Sequence, residues 1–67
     1  MEPFASNLKK LREEKVITLD TIARDTGINK GVLSRYENNK REPNITNIKV
    51  LADYFGINVY DLMGWKD

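Results

Sequence analysis

An all-α fold of five short helices around one core, with a central helix-turn-helix, is what this sequence predicts. Three observations carry the prediction. Apolar residues recur at helical spacing in separate short runs, and no β-alternation of useful length interrupts them. Each run is bracketed by residues that start or stop helices: Thr18, Asn29, Asn44 and Asn58 ahead, Gly27, Gly56 and Gly64 behind. Between Leu19 and Tyr36, finally, two helical runs meet at Gly27, with small Ala23 four places before it and Leu33 six places after. Two helices crossing steeply over a short turn need a corner residue that accepts positive φ, which glycine does at no steric cost.

The elements follow in order. Pro3 suits a first helical turn, and Phe4, Leu8 and Leu11 form one apolar stripe of a helix ending near Lys15. Thr18 caps the second helix and Asn29 the third, each offering a side-chain oxygen to orphan amides. Ala23 lets the third helix pack close, and Ile22, Ile28 and Leu33 supply the seam beneath. The third helix runs to about Glu37 or Asn38. A polar loop through Pro43 follows, with Asn39 in a left-handed conformation at its start. Asn44 caps a fourth helix whose apolar positions are Ile45, Ile48, Leu51, Ala52 and Phe55, and Gly56 stops it. Asn58 opens a short fifth helix through about Met63, ended by Gly64.

Composition bounds what such a chain does. Its 67 residues make a single domain near the lower limit for a self-sufficient core, with residues 64–67 reading as the start of a linker. Without cysteine or histidine there is no disulfide, no usual zinc site and no histidine base, so neither metal nor cofactor is expected. No Gly-rich phosphate loop or cleft-forming carboxylate pair is present either, and an enzyme is not expected. Lacking a membrane-length apolar run or a signal peptide, the chain is expected in the cytoplasm. Net charge is only +1, but its distribution is uneven. Residues 1–41 hold nine Lys/Arg against six Asp/Glu, and residues 42–67 hold two against four. Within 30–41, Lys30, Arg35, Lys40 and Arg41 face only Glu37. A compact positive edge on a nearly neutral domain suits contact with DNA at one face, although a solvated helix face has the same composition.

Several stretches in register resemble the Cro/cI-type (XRE) helix-turn-helix family of phage and bacterial repressors, whose fold is a compact five-helix, lambda-repressor-like domain. These are Leu8 with Leu11-Arg12, the motif at about 18–37, the segment Glu37 to Pro43, and Phe55-Gly56-Ile57-Asn58 through Leu62. The likeness covers roughly residues 4–63. It implies a domain that binds operator DNA as a homodimer, with the second helix of the motif in the major groove. Two positions depart from the pattern. Leu19 stands where the family commonly has a phosphate-binding Gln, and Asn39 where it usually has Gly.

By this resemblance Lys30, Gly31 and Arg35 face base edges, and Val32 and Ser34 flank them. Lys30 and Arg35 can each reach a guanine O6/N7 pair. Val32 serves either a thymine methyl or the edge of the core. Gly31 costs about 1 kcal/mol against Ala within a helix, which suggests that room is wanted there. Asn29, Asn38, Lys40 and Arg41 are phosphate candidates, joined by the helix N-terminus at Thr18. Arg12 and Glu37 match family positions that form an ion pair between the first helix and the end of the third. Val59, Tyr60, Met63 and Trp65 are more apolar surface than one short helix buries, and are expected at a dimer or interdomain contact.

Three functions are compatible with these residues. The first is a sequence-specific, double-stranded-DNA-binding transcriptional repressor or the N-terminal domain of one. An antitoxin with the same fold is the second, and a protein-binding module that has lost DNA contact is the third. A C-terminal domain or protein partner beyond the fifth helix fits each; a membrane fits none.

Overall fold

The computed structural model describes residues 2–65, so Lys66 and Asp67 of the expected linker lie outside the described residues. Five helices follow one another: α1 (Glu2–Glu14), α2 (Leu19–Thr26), α3 (Lys30–Glu37), α4 (Ile45–Phe55) and α5 (Val59–Met63). There is no strand among the described residues. None of the helices is long and apolar enough to cross a membrane.

Side-chain caps set the start of four helices. The Thr21, Asn47 and Asp61 amides donate to Thr18 Oγ1, Asn44 Oδ1 and Asn58 Oδ1 at 3.2, 2.8 and 2.8 Å. At α3 the Gly31 and Val32 amides share Asn29 Oδ1, at 2.7 and 3.4 Å. Each bond satisfies a donor that has no partner inside its own helix. Gly27 ends α2 with φ +79°, and its amide donates to the Ala23 carbonyl at 2.9 Å.

The end of α1 is closed by a residue whose type gives no hint of it. Val16 takes φ +55° as the Ile17 amide donates to Arg12 O (3.2 Å) and the Val16 amide to Glu13 O (3.1 Å). This is a Schellman motif, in which glycine usually fills the left-handed position. Its hydrophobic half, Ile17, packs against the core. Asn39, at φ +57°, closes α3 in the same way, with the Lys40 amide donating to Arg35 O at 2.8 Å.

Every helix contributes to one core. Phe4, Leu8, Ile22, Leu33, Leu51 and Leu62 are all fully buried. Tyr36 of α3 meets Phe4 of α1 edge to face, with centroids 5.4 Å apart, a favoured aromatic geometry. The buried phenol of Tyr36 accepts a hydrogen bond from Asn47 Nδ2 at 2.9 Å, which ties α3 to α4. On the far side Asn7 of α1 donates to the Asp61 and Leu62 carbonyls of α5, at 3.2 and 3.0 Å.

Two apolar expectations need correction. Ile45, read among the apolar positions of α4, is 57% exposed and stands at the first residue of the helix. Met63, expected at a dimer or interdomain contact, is buried within the domain itself. The cause is how closely α5 lies on α1: a Cβ placed on Gly64 would come within 2.7 Å of Pro3 Cβ. The last turn of α5 thus lies against the first turn of α1, and Met63 belongs to the core cluster.

Candidate nucleic-acid interface

The sequence of α3 divides it into two faces. Leu33 and Tyr36 point into the core, while Lys30 and Arg35 are exposed and Gly31 and Ser34 are partly open. Val32 is half-buried and packs against the core, so only part of it is available to a groove. Packing of α2 and α1 behind α3 leaves this opposite face to solvent.

Local bonds hold the exposed side chains in place. The ammonium of Lys30 lies 3.2 Å from Asp20 Oδ1, across the motif in the first turn of α2. Gly31 has Asn29 Oδ1 at 3.0 Å and an Arg35 guanidinium nitrogen at 3.5 Å from where a Cβ would stand. A Cβ at Gly31 would therefore crowd the cap oxygen and make ordinary contact with the Arg35 guanidinium.

The phosphate candidates divide into two groups. Lys40 and Arg41 are exposed, and neither forms a salt bridge among the described residues. Thr18 is exposed, with its oxygen within 3.1 Å of Thr21 Oγ1, so two hydroxyls stand together at the start of α2. Thr21 is absent from the residues the sequence singles out, although its place three residues after the cap is a usable signal. Asn29 uses its carbonyl oxygen in the cap and keeps its amide for another acceptor. Asn38 differs, because its Nδ2 already donates to Ser34 O at 2.9 Å. Leu19, at the position without a polar side chain, is partly buried against the core.

Behind this face, Arg12 and Glu37 form a two-pronged ion pair. Nε donates to Oε2 at 2.7 Å and Nη2 to Oε1 at 2.9 Å. The side chains are 20% and 7% exposed, which removes Arg12 from the surface available to DNA. Hydrogen bonding to Glu37 holds the Arg12 guanidinium above its ordinary pKa against the opposing effect of burial. Arg12 Nη1 also approaches the Ile17 carbonyl at 3.4 Å, so the pair links the end of α1, the turn after it and the end of α3. A second link, between α2 and α4, is the Tyr54 hydroxyl donating to Asp25 Oδ2 at 2.7 Å. Among the described residues no acidic cluster is placed to hold a metal.

At the other end, Tyr60 and Trp65 are 60% and 48% exposed and pack edge to face at 5.6 Å. Val59 is half-buried against the core.

A small all-α domain with one face of a helix-turn-helix free and basic is the architecture of a DNA-binding regulator. The chain belongs to the XRE-type helix-turn-helix family: the family profile described as "Helix-turn-helix domain" matches residues 5–66. It is also 39% identical, over 64 residues and 94% of its length, to the HTH-type transcriptional repressor RghR of Bacillus subtilis (strain 168). The aligned region spans about half of that relative, 47% of its length. No solved structure matches the chain.

Proposed function

We propose that this chain is the operator-reading domain of a transcriptional repressor, with α3 lying in the major groove of double-stranded DNA. The observation that carries the reading is the two-faced α3: Leu33 and Tyr36 are locked inside while Lys30, Gly31, Ser34 and Arg35 face outward. Lys30 and Arg35 read guanine edges, and Gly31 lets the helix come close. Lys40, Arg41, Asn29 and the start of α2 at Thr18 and Thr21 hold phosphates and fix register. The resemblance to RghR, itself described as a repressor, supports the regulatory direction.

One short recognition helix reads about four or five base pairs, too few to select a genomic site, so the reading includes a two-fold dimer on DNA. Its helices would enter successive major grooves about 34 Å apart. The exposed Tyr60–Trp65 pair offers an apolar surface to the second copy.

Selection from random duplexes tests the whole reading and should return an approximate inverted repeat. Arg35→Ala should relax preference at one or two base pairs. Lys40→Ala or Arg41→Ala should weaken binding on every sequence and flatten the salt dependence by roughly one unit for each phosphate no longer neutralised. Uniform weakening across single-base variants with Arg35→Ala would mean that Arg35 only positions the backbone. A non-palindromic site filled by one chain would remove the dimer.

A further inference from the structure

Among the described residues Asp20 is the acidic side chain that touches the outward face of α3, and the proposed function gives it no role. Its position follows from the turn geometry. Thr18 caps α2, placing Asp20 in the first turn, where a carboxylate is favoured by the unpaired amides of the helix end. Gly27 then reverses the chain, and Asn29 starts α3 at Lys30. The first residue of α3 consequently passes beside the first turn of α2, and Lys30 Nζ lies 3.2 and 3.3 Å from the two oxygens of Asp20. Both side chains are well exposed, at 59% and 71%, so water screens the bond and either partner can exchange it for another.

We propose that Asp20 is a positioning residue that attenuates DNA affinity: it holds Lys30 in an exchangeable ion pair that must be given up before Lys30 can contact DNA. The inference rests on the reading of α3 as the recognition helix. On an arbitrary duplex, a phosphate offers Lys30 the same kind of charge that Asp20 already provides, so little is gained by the exchange. At the correct base pair, guanine O6 and N7 offer two acceptors at once, and the exchange is favourable. Because the pair must be broken wherever Lys30 meets DNA, Asp20 subtracts from affinity at the selected site at least as much as on an arbitrary duplex. With α3 in the groove, the start of α2 faces the backbone of the duplex, so the uncompensated carboxylate adds repulsion once Lys30 has left.

The test measures binding of the wild type, Asp20→Asn, Asp20→Glu, Lys30→Gln and the Asp20→Asn/Lys30→Gln double variant. Each is titrated on its selected duplex and on a random-sequence duplex over a range of salt. Asp20→Asn should raise affinity for the selected duplex by roughly two- to fivefold, the range an exposed ion pair spans, and by no more than that for the random duplex. It should also steepen the salt dependence there by up to one unit, as Lys30 becomes a phosphate ligand. The ratio of specific to random affinity should not fall, and Asp20→Glu should return both affinities toward those of the wild type. With Lys30→Gln in place, the Asn substitution should lose most of its effect. An equal effect in both backgrounds would overturn the proposal, since Asp20 would then act as a plain surface charge. So would an unchanged affinity for the selected duplex in Asp20→Asn. A wild type that selects no sequence would instead remove the functional reading itself, and the proposal with it. Thermal melts of all five proteins exclude a folding defect as the cause, and the Lys30 cycle separates the two roles even if Asp20→Asn lowers the melting point slightly.

Discussion

Replacing Val16 by glycine should stabilise this domain. The left-handed conformation costs a residue with a Cβ about 1–2 kcal/mol, and a β-branched side chain sits at the upper end of that range. Val16 adopts it, at φ +55°, to complete the turn that leads out of α1. The side chain offers little in return, since it is 88% exposed and its truncation forfeits almost no burial. Glycine brings a penalty of its own, about 0.5–1 kcal/mol of extra freedom in the unfolded chain. The net gain is about 1 kcal/mol, which for a domain of this size raises the melting temperature by roughly 4–8 °C. Thermal and urea denaturation measure it, and the urea slope should not change, because the surface exposed on unfolding is the same. Gly27→Ala is the matched control. It would place a Cβ at φ +79° with nothing within 4 Å, so its loss of about 1 kcal/mol isolates the backbone effect with the opposite sign. A Val16→Gly protein no more stable than wild type, beside a destabilised Gly27→Ala, would refute the reasoning.

Three further outcomes follow from the same geometry. Glu37→Ala leaves the Arg12 guanidinium without its bidentate partner; breaking a fully buried pair costs about 3–5 kcal/mol, and the partial exposure of Arg12 brings the expected loss to about 2–3 kcal/mol. Urea denaturation measures it, and Arg12→Met/Glu37→Leu should recover most of the loss. Asn29→Ala removes the acceptor shared by two α3 amides and should cost about 1 kcal/mol in the same assay. The Asp25–Tyr54 bond should make stability depend on pH at both extremes. The Tyr54 hydroxyl, more than Arg24, holds the Asp25 carboxyl below its ordinary pKa, so its contribution is present above the usual carboxylate range and lost as pH falls through the lowered value. Asp25 in turn raises Tyr54, whose contribution is present below the ordinary phenol value and lost as pH rises through the raised one. The difference in melting temperature between wild type and Tyr54→Phe should therefore be flat near neutrality, shrinking below about pH 4 and above about pH 10.

Local chemistry makes the helix boundaries legible in the sequence. Thr18, Asn29, Asn44 and Asn58 each accept from the amides they precede, and Gly27, Gly56 and Gly64 are all left-handed. These are short-range bonds, decided within four residues, and a one-dimensional reading contains them. Val16 is the exception among the turns. Nothing in its side chain asks for positive φ; the conformation is imposed by burial of Ile17 one residue later. Met63 defeats a sequence reading for a related reason. Five residues of helix carry too little periodicity to say which side is inside, and only the close approach of Gly64 to Pro3 decides it. The outward face of α3 is legible as a set of residue types, but the ion pair between Asp20 and Lys30 depends on how steeply the motif turns.

The eight residues of α3 are fastened from behind at several points: at Asn29 by the shared cap, at Leu33 by the core, at Tyr36 by Asn47, and at Glu37 by Arg12. The side chains of Lys30, Ser34 and Arg35 take part in none of those attachments, and the exposed Asp20 pair holds Lys30 alone. Holding the helix and reading with it are thus assigned to different residues. A lineage carrying this domain can rewrite the reading set one side chain at a time without passing through an unfolded intermediate. The fold works as a fixed handle for an interchangeable bit, and new target sequences become accessible through one or two substitutions.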